Sequence, residues 1–233
     1  MEIYYLKMLL LSDTTFGRGD GVAGLIDQEV EHDANGFPYL RGRTLKGLLS
    51  EECDNLIVVL SEPPPYRWQE AAEHLFGIPG STLETISKMH VGDACLPQDL
   101  RKAIKLQLDQ EQERERTKRR GQERRLTEVD VLASLTTIRR QTAIDPEDGA
   151  PVEHSLRSSR VVLRDLCFTA PLLFEKKPTA EMLALLAVST LALQRVGSGR
   201  NRGRGHVRCR LHDSIGKEIT QEHFRYFEQE TRG

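Results

Sequence analysis

The chain has 233 residues, of which 38% are hydrophobic and 29% charged, and its formal net charge is -2. These values describe a globular protein that can bury one sizeable core or two small ones. Apolar stretches such as 183–193 are too short and too interrupted to cross a bilayer, and the N-terminus lacks a basic segment and a cleavage site. These two features argue against a membrane partner, and we expect a cytoplasmic protein.

The cysteines are widely spaced and include no CxxC pair. This pattern indicates neither a zinc knuckle nor a disulfide framework. We expect buried free thiols at four positions: Cys53, Cys95, Cys167 and Cys209.

The first half of the chain predicts a strand, a long loop, two helices and a second strand. The opening run MEIYYLKMLLL is apolar, aromatic and β-branched, as in a largely buried strand. Residues 14–42 are rich in glycine and polar side chains, and a loop of that length is usually functional. Thr44 is suited to cap a helix with an apolar face, Trp68–Phe76 has a second helical pattern, and 88–96 alternates like a strand.

The second half begins with a charged stretch and then alternates strands with one helix. Residues 98–125 carry few apolar side chains, which is typical of a solvated helical insertion or a partly disordered segment. Residues 134–162 predict a strand, a hairpin with DPEDG as its turn, and a returning arm. A strand over 163–174, a helix capped by Thr179 and a last strand over 206–211 complete the chain.

The order strand, helix, strand, strand, helix, strand predicts an α+β fold with a ferredoxin-like, RRM-like core of the split βαβ type. The inserted loops, a thumb-like β-hairpin and the charged helical insertion extend this core. We expect a single domain over 1–233, with insertions at about 12–42, 97–130 and 141–160. No strand carries the RNP1 pattern of glycines and aromatics, so any RNA would be held by loops.

Arginines and glycines gather in two loops, which makes the basic surface local although the net charge is nearly zero. Residues 196–211 contain four glycines and five arginines. Glycines let backbone N–H groups approach a phosphate, and arginine forks match its oxygens; a flexible surface loop is the alternative. The candidate phosphate ligands are Arg41, Gly42, Arg43, Lys46, Arg200, Arg202 and Arg204. Arg139 and Arg140 are further candidates that could equally be solvated strand residues.

Three segments together resemble the signature regions of the RAMP superfamily. They are DQEVEHDANGFPYLRGRTLKGLL, IRRQTAIDPEDGAPVEHSLRSSRVV and GSGRNRGRGHV, in the family's order along the chain. The resemblance is greatest to the repeated backbone subunits of type III CRISPR effector complexes. It implies copies of this chain in a filament along a guide RNA, with other type III effector subunits and a target RNA as partners. It also implies a thumb that is wedged into the guide–target duplex, around Ile144, Asp145 and Pro146.

The resemblance further implies a catalytic aspartate in the first long loop, which cuts target RNA at regular intervals with Mg²⁺ or Mn²⁺. Asp27, Val30 and Asp33, followed by PYLRGRTLKG, reproduce the family's spacing, so Asp27 is the candidate catalytic residue and metal ligand. The segment departs from the family pattern at six positions: Gln28, Glu29, His32, Arg41, Arg43 and Thr44.

Three function classes follow from these patterns. The first is a guide-directed, metal-dependent endoribonuclease subunit, and the second is a guide-binding scaffold in which Asp27 only hydrogen-bonds a turn. The third is an unrelated phosphate-binding enzyme, but no P-loop or Rossmann fingerprint follows a strand. Asp20 and His32 are weaker candidates for chemistry, for which a turn or surface role is expected.

Overall fold

The computed structural model of the protein describes residues 1–21, 26–60, 66–78, 87–117, 125–145, 147–152 and 155–232. Six strands and six helices follow one another along these residues. They are β1 (Glu2–Leu10), α1 (Gly42–Leu60), α2 (Tyr66–Phe76), β2 (Met89–Val91), α3 (Gln98–Thr117), α4 (Glu128–Leu135), β3 (Thr136–Gln141), β4 (Arg157–Val162), β5 (Cys167–Phe174), α5 (Ala180–Ala192), β6 (Val207–His212) and α6 (Thr220–Thr231).

The main sheet has four strands in the order β2-β5-β1-β6, and all neighbouring strands are antiparallel. β1 lies inside the sheet, where Leu6 is opposite Ala170 of β5 and Leu211 of β6. Because side chains alternate between the two faces of a strand, every second residue of β1 reaches the core. The buried residues are Tyr4, Leu6, Met8 and Leu10. The predicted α+β class is confirmed.

α5 is apolar on all sides and packs between the sheet and the other helices. Residues 182–190 are all buried, and the helix contacts α1, α2 and α6. A helix with no polar face is stable only inside a protein, which agrees with this position. The Thr179 side chain accepts a hydrogen bond from the N–H of Met182 at 3.2 Å, so the predicted N-cap is confirmed.

α1 begins at Gly42, two residues before the predicted cap at Thr44. The Gly42 N–H donates to Oδ1 of Asp93 at 2.7 Å, so a distant carboxylate replaces the local cap. A Cβ at residue 42 would lie 2.2 Å from the carbonyl oxygen of Val91. Glycine is therefore required here for the start of α1 to approach the backbone of β2.

The charged stretch forms α3 over Gln98–Thr117. Of the two alternatives, a helical insertion or a partly disordered segment, this part is therefore helical; residues 118–124 lie outside the described residues. Two further helices, α4 and α6, are not predicted from the sequence. α4 starts with a reciprocal capping box between Thr127 and Asp130. α6 is anchored by Phe227, whose ring centroid lies 4.9 Å from that of Trp68 in α2. Over the described residues, no helix is long and apolar enough to span a membrane.

β3 and β4 form a second, two-stranded antiparallel sheet, and the described residues between them, 142–145, 147–152 and 155–156, form an arm. At the predicted turn, the Asp145 N–H donates to the Ala150 carbonyl oxygen at 2.8 Å, and Ile144 is bridged to Pro151. Oδ1 of Asp145 accepts the N–H of Glu147 at 2.8 Å. Pro146 and residues 153–154 lie outside the described residues.

The four cysteines are free; Cys53 and Cys209 are buried, whereas Cys95 and Cys167 are half-buried. Burial raises the pKa of the Cys53 and Cys209 thiols to about 12. Since the thiolate is the reactive species, we expect iodoacetamide at pH 8 to modify these two cysteines only when the protein unfolds. Mass spectrometry of native and urea-unfolded protein checks this, and equal labelling of all four cysteines in native protein would contradict it.

Candidate nucleic-acid interface

Residues 197–205, the glycine-rich loop, connect α5 to β6 and lie against the segment that follows β1. The Ser198 N–H donates to the Thr15 carbonyl oxygen at 2.9 Å, and the Gly205 N–H donates to that of Asp13 at 3.1 Å. Gly197 and Gly205 have positive φ angles of 78° and 70°. These contacts hold the ends of the loop in place, which argues against the alternative of a flexible surface loop.

Between those ends, Arg200–Arg202 form a single 3-10 turn. Gly199 and Gly203 flank this turn with left-handed φ angles of 77° and 80°. Only glycine adopts this conformation without strain, so the glycines permit a tight turn that carries arginine side chains outward.

The first long loop crosses from the glycine-rich loop to β4 and carries Asp27. Gln28 forms a parallel bridge with Ser159 of β4. Glu29 is only 4% exposed, and its carboxylate accepts both a 2.9 Å and a 3.2 Å hydrogen bond from Nε of Arg160. This largely buried ion pair anchors the loop on β4, because an unpaired charge at either position would be costly.

Asp27 is exposed, and its backbone and side chain both bond to Ser158 of β4. The Asp27 N–H donates to the Ser158 carbonyl oxygen at 2.8 Å. In return, Oδ2 of Asp27 accepts the Ser158 N–H at 2.6 Å and its hydroxyl at 3.3 Å. The partner lies 131 residues away in the chain, and among the described residues Asp27 caps no turn of its own loop. Its carboxylate is fixed at the edge of β4.

A cleft of about 730 Å³ separates Asp27 from the glycine-rich loop. Four arginines and one carboxylate line it, so its charge favours an anionic ligand. Of the arginines, Arg200 pairs with Glu51 of α1 at 3.0 Å, whereas Arg202 and Arg204 form no ion pair with any described residue. The lining residues are Asp27, Gln28, Gln141, Arg157, Ser159, Gly197, Ser198, Gly199, Arg200, Arg202 and Arg204.

Two smaller clefts adjoin the first because they share residues of the glycine-rich loop. The cleft on one side, of about 600 Å³, includes Arg204, Arg139 and Arg164. The cleft on the other side, of about 220 Å³, includes Arg200 and Arg41. We call the arginines of the three clefts the basic surface. They are Arg41, Arg139, Arg157, Arg164, Arg200, Arg202 and Arg204.

Carboxylates hold several of these guanidinium groups in position. Arg139 donates to Oδ2 of Asp13 at 2.8 Å. Arg41 lies 2.6 Å from Oε2 of Glu31, whose other oxygen accepts the Tyr39 hydroxyl at 2.9 Å. The Arg139–Asp13 pair is exposed to water and contributes little to stability, so a phosphate can replace this carboxylate at small cost. Glu31 is buried, so leaving its carboxylate without Arg41 would cost more.

The structure brings five of the predicted phosphate ligands together in the basic surface and leaves four outside the three clefts. Gly42 is buried against β2. Lys46 is half-buried, and its burial lowers the pKa of the ammonium group. Arg43 is exposed on α1, and Arg140 alternates in β3 with the cleft residues Arg139 and Gln141. Since neighbouring residues of a strand face opposite sides, Arg140 faces away from the clefts.

The clefts also contain residues that the sequence analysis does not single out, above all Arg157 in the cleft of Asp27 and Arg164 in the cleft of about 600 Å³. Arg157 is directly opposite Gln141 in the β3–β4 register, so both reach the same face of the hairpin. The hairpin register could have identified Arg157, because a hairpin is already predicted there. Nothing in the sequence pattern around Arg164 indicates its position beside the glycine-rich loop.

The other acidic and histidine candidates of the first loop have local structural roles. Oδ1 of Asp33 accepts the N–H groups of Asn35 and Phe37 at 2.9 and 3.0 Å, and Oδ2 pairs with Arg101. A hydrogen bond from Arg18 lowers the pKa of the exposed Asp20 carboxyl. Nδ1 of His32 lies 3.1 Å from the Asp33 carbonyl oxygen. The turn and surface roles expected of Asp20 and His32 agree with these contacts.

No group of three or more His, Cys, Asp or Glu side chains among the described residues could hold a metal ion. Asp27 nevertheless fits as a single ligand, because Oδ2 is bound by Ser158 while Oδ1 has no hydrogen-bond partner among those residues. Mg²⁺ commonly takes only one or two carboxylates and completes its coordination with water and substrate phosphates.

Comparison with known proteins places this arrangement in a family. No curated protein sequence matches the chain. A chain of the "Cryo-EM structure of the Type III-B Cmr-beta bound to cognate target RNA" is similar, with a TM-score of 0.60, 15% identity, and coverage of 96% of this chain and 99% of that one. A chain of the "Type III-B Cmr-beta Cryo-EM structure of the Apo state" has a TM-score of 0.60, 17% identity and coverage of 92% and 98%. The family model of the RAMP superfamily matches residues 7–208, so the chain belongs to that superfamily.

Proposed function

We propose that the protein is a backbone subunit of a type III CRISPR ribonucleoprotein, of the III-B kind, that binds guide RNA through the basic surface. The observation that carries this proposal is the cluster of four arginines around a cleft of about 730 Å³ in a chain whose net charge is -2. The similar Cmr-beta structure bound to cognate target RNA supports RNA and other type III subunits as partners.

The glycine-rich loop is suited to binding a ribose-phosphate backbone without reading its sequence. Arginine forks bind phosphate oxygens in pairs, and contacts of this kind position a nucleic acid but do not identify its bases. A subunit repeated along one guide must bind different sequences equally well. Several copies of this chain would therefore follow one another on the guide.

The strand order supports a ferredoxin-like core. β1 and β2 lie on either side of β5, and the connection between β1 and β2 contains α1 and α2. A split βαβ unit would have such an arrangement, with one strand between two others that a helical connection joins. The arm over 142–156 would then be the thumb, because it exposes the apolar side chains of Ile144, Val152 and Leu156 that a wedge between bases needs.

The same subunit would cleave target RNA opposite the guide, with Asp27 as the catalytic residue. The 2′-oxygen of the target forms a bond to phosphorus while the bond to the 5′-oxygen breaks, which leaves a cyclic phosphate and a 5′-hydroxyl. The 2′-hydroxyl proton passes through water to the Asp27 carboxylate, and the 5′-oxygen takes a proton from water. When bound, Mg²⁺ or Mn²⁺ held by Asp27 would neutralise charge on the phosphate oxygens.

A guide-binding scaffold that does not cut RNA is the second candidate. The hydrogen bonds between Asp27 and Ser158 favour it, because they give the carboxylate a structural role as well. The two candidates share the basic surface and differ only in the chemistry at Asp27.

Replacing Arg200, Arg202 and Arg204 together by alanine tests RNA binding. We expect the purified triple variant to lose the raised 260 nm absorbance of bound RNA, and the slope of log K against log salt to flatten by roughly 2. Filter binding of single-stranded RNA between 50 and 300 mM salt measures the slope.

The matched control replaces three exposed arginines outside the clefts, Arg208, Arg225 and Arg232, and so removes the same charge. RNA binding through the basic surface predicts that this control keeps its RNA. If both triple variants lost the same amount of bound RNA, the interaction would depend on net charge and not on the basic surface. If the unmodified protein carried no RNA, the proposed function would be contradicted.

A further inference from the structure

We propose that Arg157 is a catalytic residue of target cleavage, and that its guanidinium group binds the non-bridging oxygens of the phosphate that is cut. This inference rests on the proposed function and adds a second residue to its chemistry. Arg157 is the first residue of β4 and lines the same cleft as Asp27.

The backbone of β4 fixes Arg157 beside Asp27. The neighbouring residue, Ser158, both donates its N–H to Oδ2 of Asp27 at 2.6 Å and accepts the Asp27 N–H at 2.8 Å. Arg202 and Arg204 line the cleft too, but they lie on the glycine-rich loop, which is a separate segment. A motion between that loop and β4 would change their distance from Asp27 and leave Arg157 in place.

Arg157 is also available for a ligand in a way that Arg139 and Arg160 of the hairpin are not. Arg160 is held by the buried Glu29, and Arg139 by Asp13. Arg157 is exposed and forms no ion pair with any described residue. Its register partner in β3 is the neutral Gln141, which also lines the cleft.

The reaction needs a cation at this place. As the 2′-oxygen adds to phosphorus and the bond to the 5′-oxygen breaks, negative charge builds up on the two non-bridging oxygens. A planar guanidinium group can donate to both oxygens at once, and arginines in this role accelerate phosphoryl transfer strongly. The Asp27 carboxylate lies beside that charge, and the Arg157 guanidinium group would stabilise it together with any divalent cation that Asp27 holds.

The test compares four complexes, each purified by means of this chain. The chain is unmodified or carries Arg157→Ala, Arg157→Lys or the control substitution Arg208→Ala. We expect Arg157→Ala to slow cleavage of guide-complementary RNA roughly 100-fold. Arg157→Lys should cleave faster than Arg157→Ala but more slowly than the unmodified complex, because lysine keeps the positive charge but cannot donate to two oxygens at once. Binding of a target with 2′-deoxy sugars at the cut positions should change less than about threefold, because the guide contributes most of the pairing. Arg208 is an exposed strand arginine outside the clefts, so its variant should cleave normally.

Each other outcome rejects the inference in a different way. Unchanged cleavage by Arg157→Ala would overturn it and leave Asp27 as the catalytic residue. A parallel loss of binding and cleavage would make Arg157 a binding residue only. Absence of cleavage by the unmodified complex that still holds guide RNA would reject both catalytic residues and keep the scaffold, whereas absence of RNA would reject the proposed function. Melting temperatures of the variants show whether they fold.

Discussion

Replacing Asp27 by asparagine will reduce the rate of target RNA cleavage on the order of 10³-fold while the complex keeps its guide RNA. Asparagine retains a side-chain oxygen that can accept the Ser158 N–H, now 2.6 Å from Oδ2, so the local structure is preserved. It removes the negative charge that can accept a proton or hold a divalent cation. Single-turnover cleavage of a guide-complementary RNA with Mg²⁺ measures the effect.

Two controls separate chemistry from structure. Asp20→Asn removes another exposed carboxylate of the same loop, one that is bonded to Arg18. The cleavage rate of this variant should stay within about twofold of the unmodified value. Asp27→Ala loses both the charge and the hydrogen bond. Cleavage by Asp27→Asn at the normal rate would show that the carboxylate is structural and would favour the scaffold function.

Replacing Gly205 by alanine will lower the free energy of unfolding by about 3–5 kcal/mol. Gly205 has a φ of 70°, and a Cβ there would lie 1.9 Å from the carbonyl oxygen of Val196. Backbone rather than a flexible side chain blocks the space, so the glycine-rich loop would have to detach from Asp13. Urea unfolding followed by circular dichroism measures the loss.

Gly203→Ala is the matched control for this prediction. Its φ is 80°, and nothing lies within 4 Å of an added Cβ. Only the cost of the left-handed backbone remains, about 1 kcal/mol. The difference between the two variants therefore isolates the steric clash, and equal destabilisation would show that the loop does not pack against Val196 as described.

The elements that are predictable from the sequence are those whose apolar pattern matches their burial. β1 and α5 have such patterns, and the cap at Thr179 has a chemical signature of its own. α4 and α6 bury only a few side chains each, so periodicity gives little signal for them. Thr127 with Asp130 three residues later is a capping box that could have indicated α4.

The candidate site is predictable only in part, because its geometry depends on pairing between distant segments. Composition identifies the loop with Arg200 and its neighbours, and the resemblance identifies Asp27. Which hairpin arginines face the clefts depends on strand register: Arg139 and Arg157 each line one of them, and Arg140 lines none. A shift of one residue would reverse that assignment.

The bond between Asp27 and Ser158 also has a consequence for how this site can vary in evolution. The 2.6 Å donor to the carboxylate is a main-chain N–H, which every residue except proline supplies. Many side chains at position 158 would therefore keep this main-chain bond to Asp27, and only the longer bond from the serine hydroxyl, at 3.3 Å, would be lost. We expect position 158 to vary among related sequences but not to be proline. A position whose backbone holds Asp27 would then show no conserved residue type.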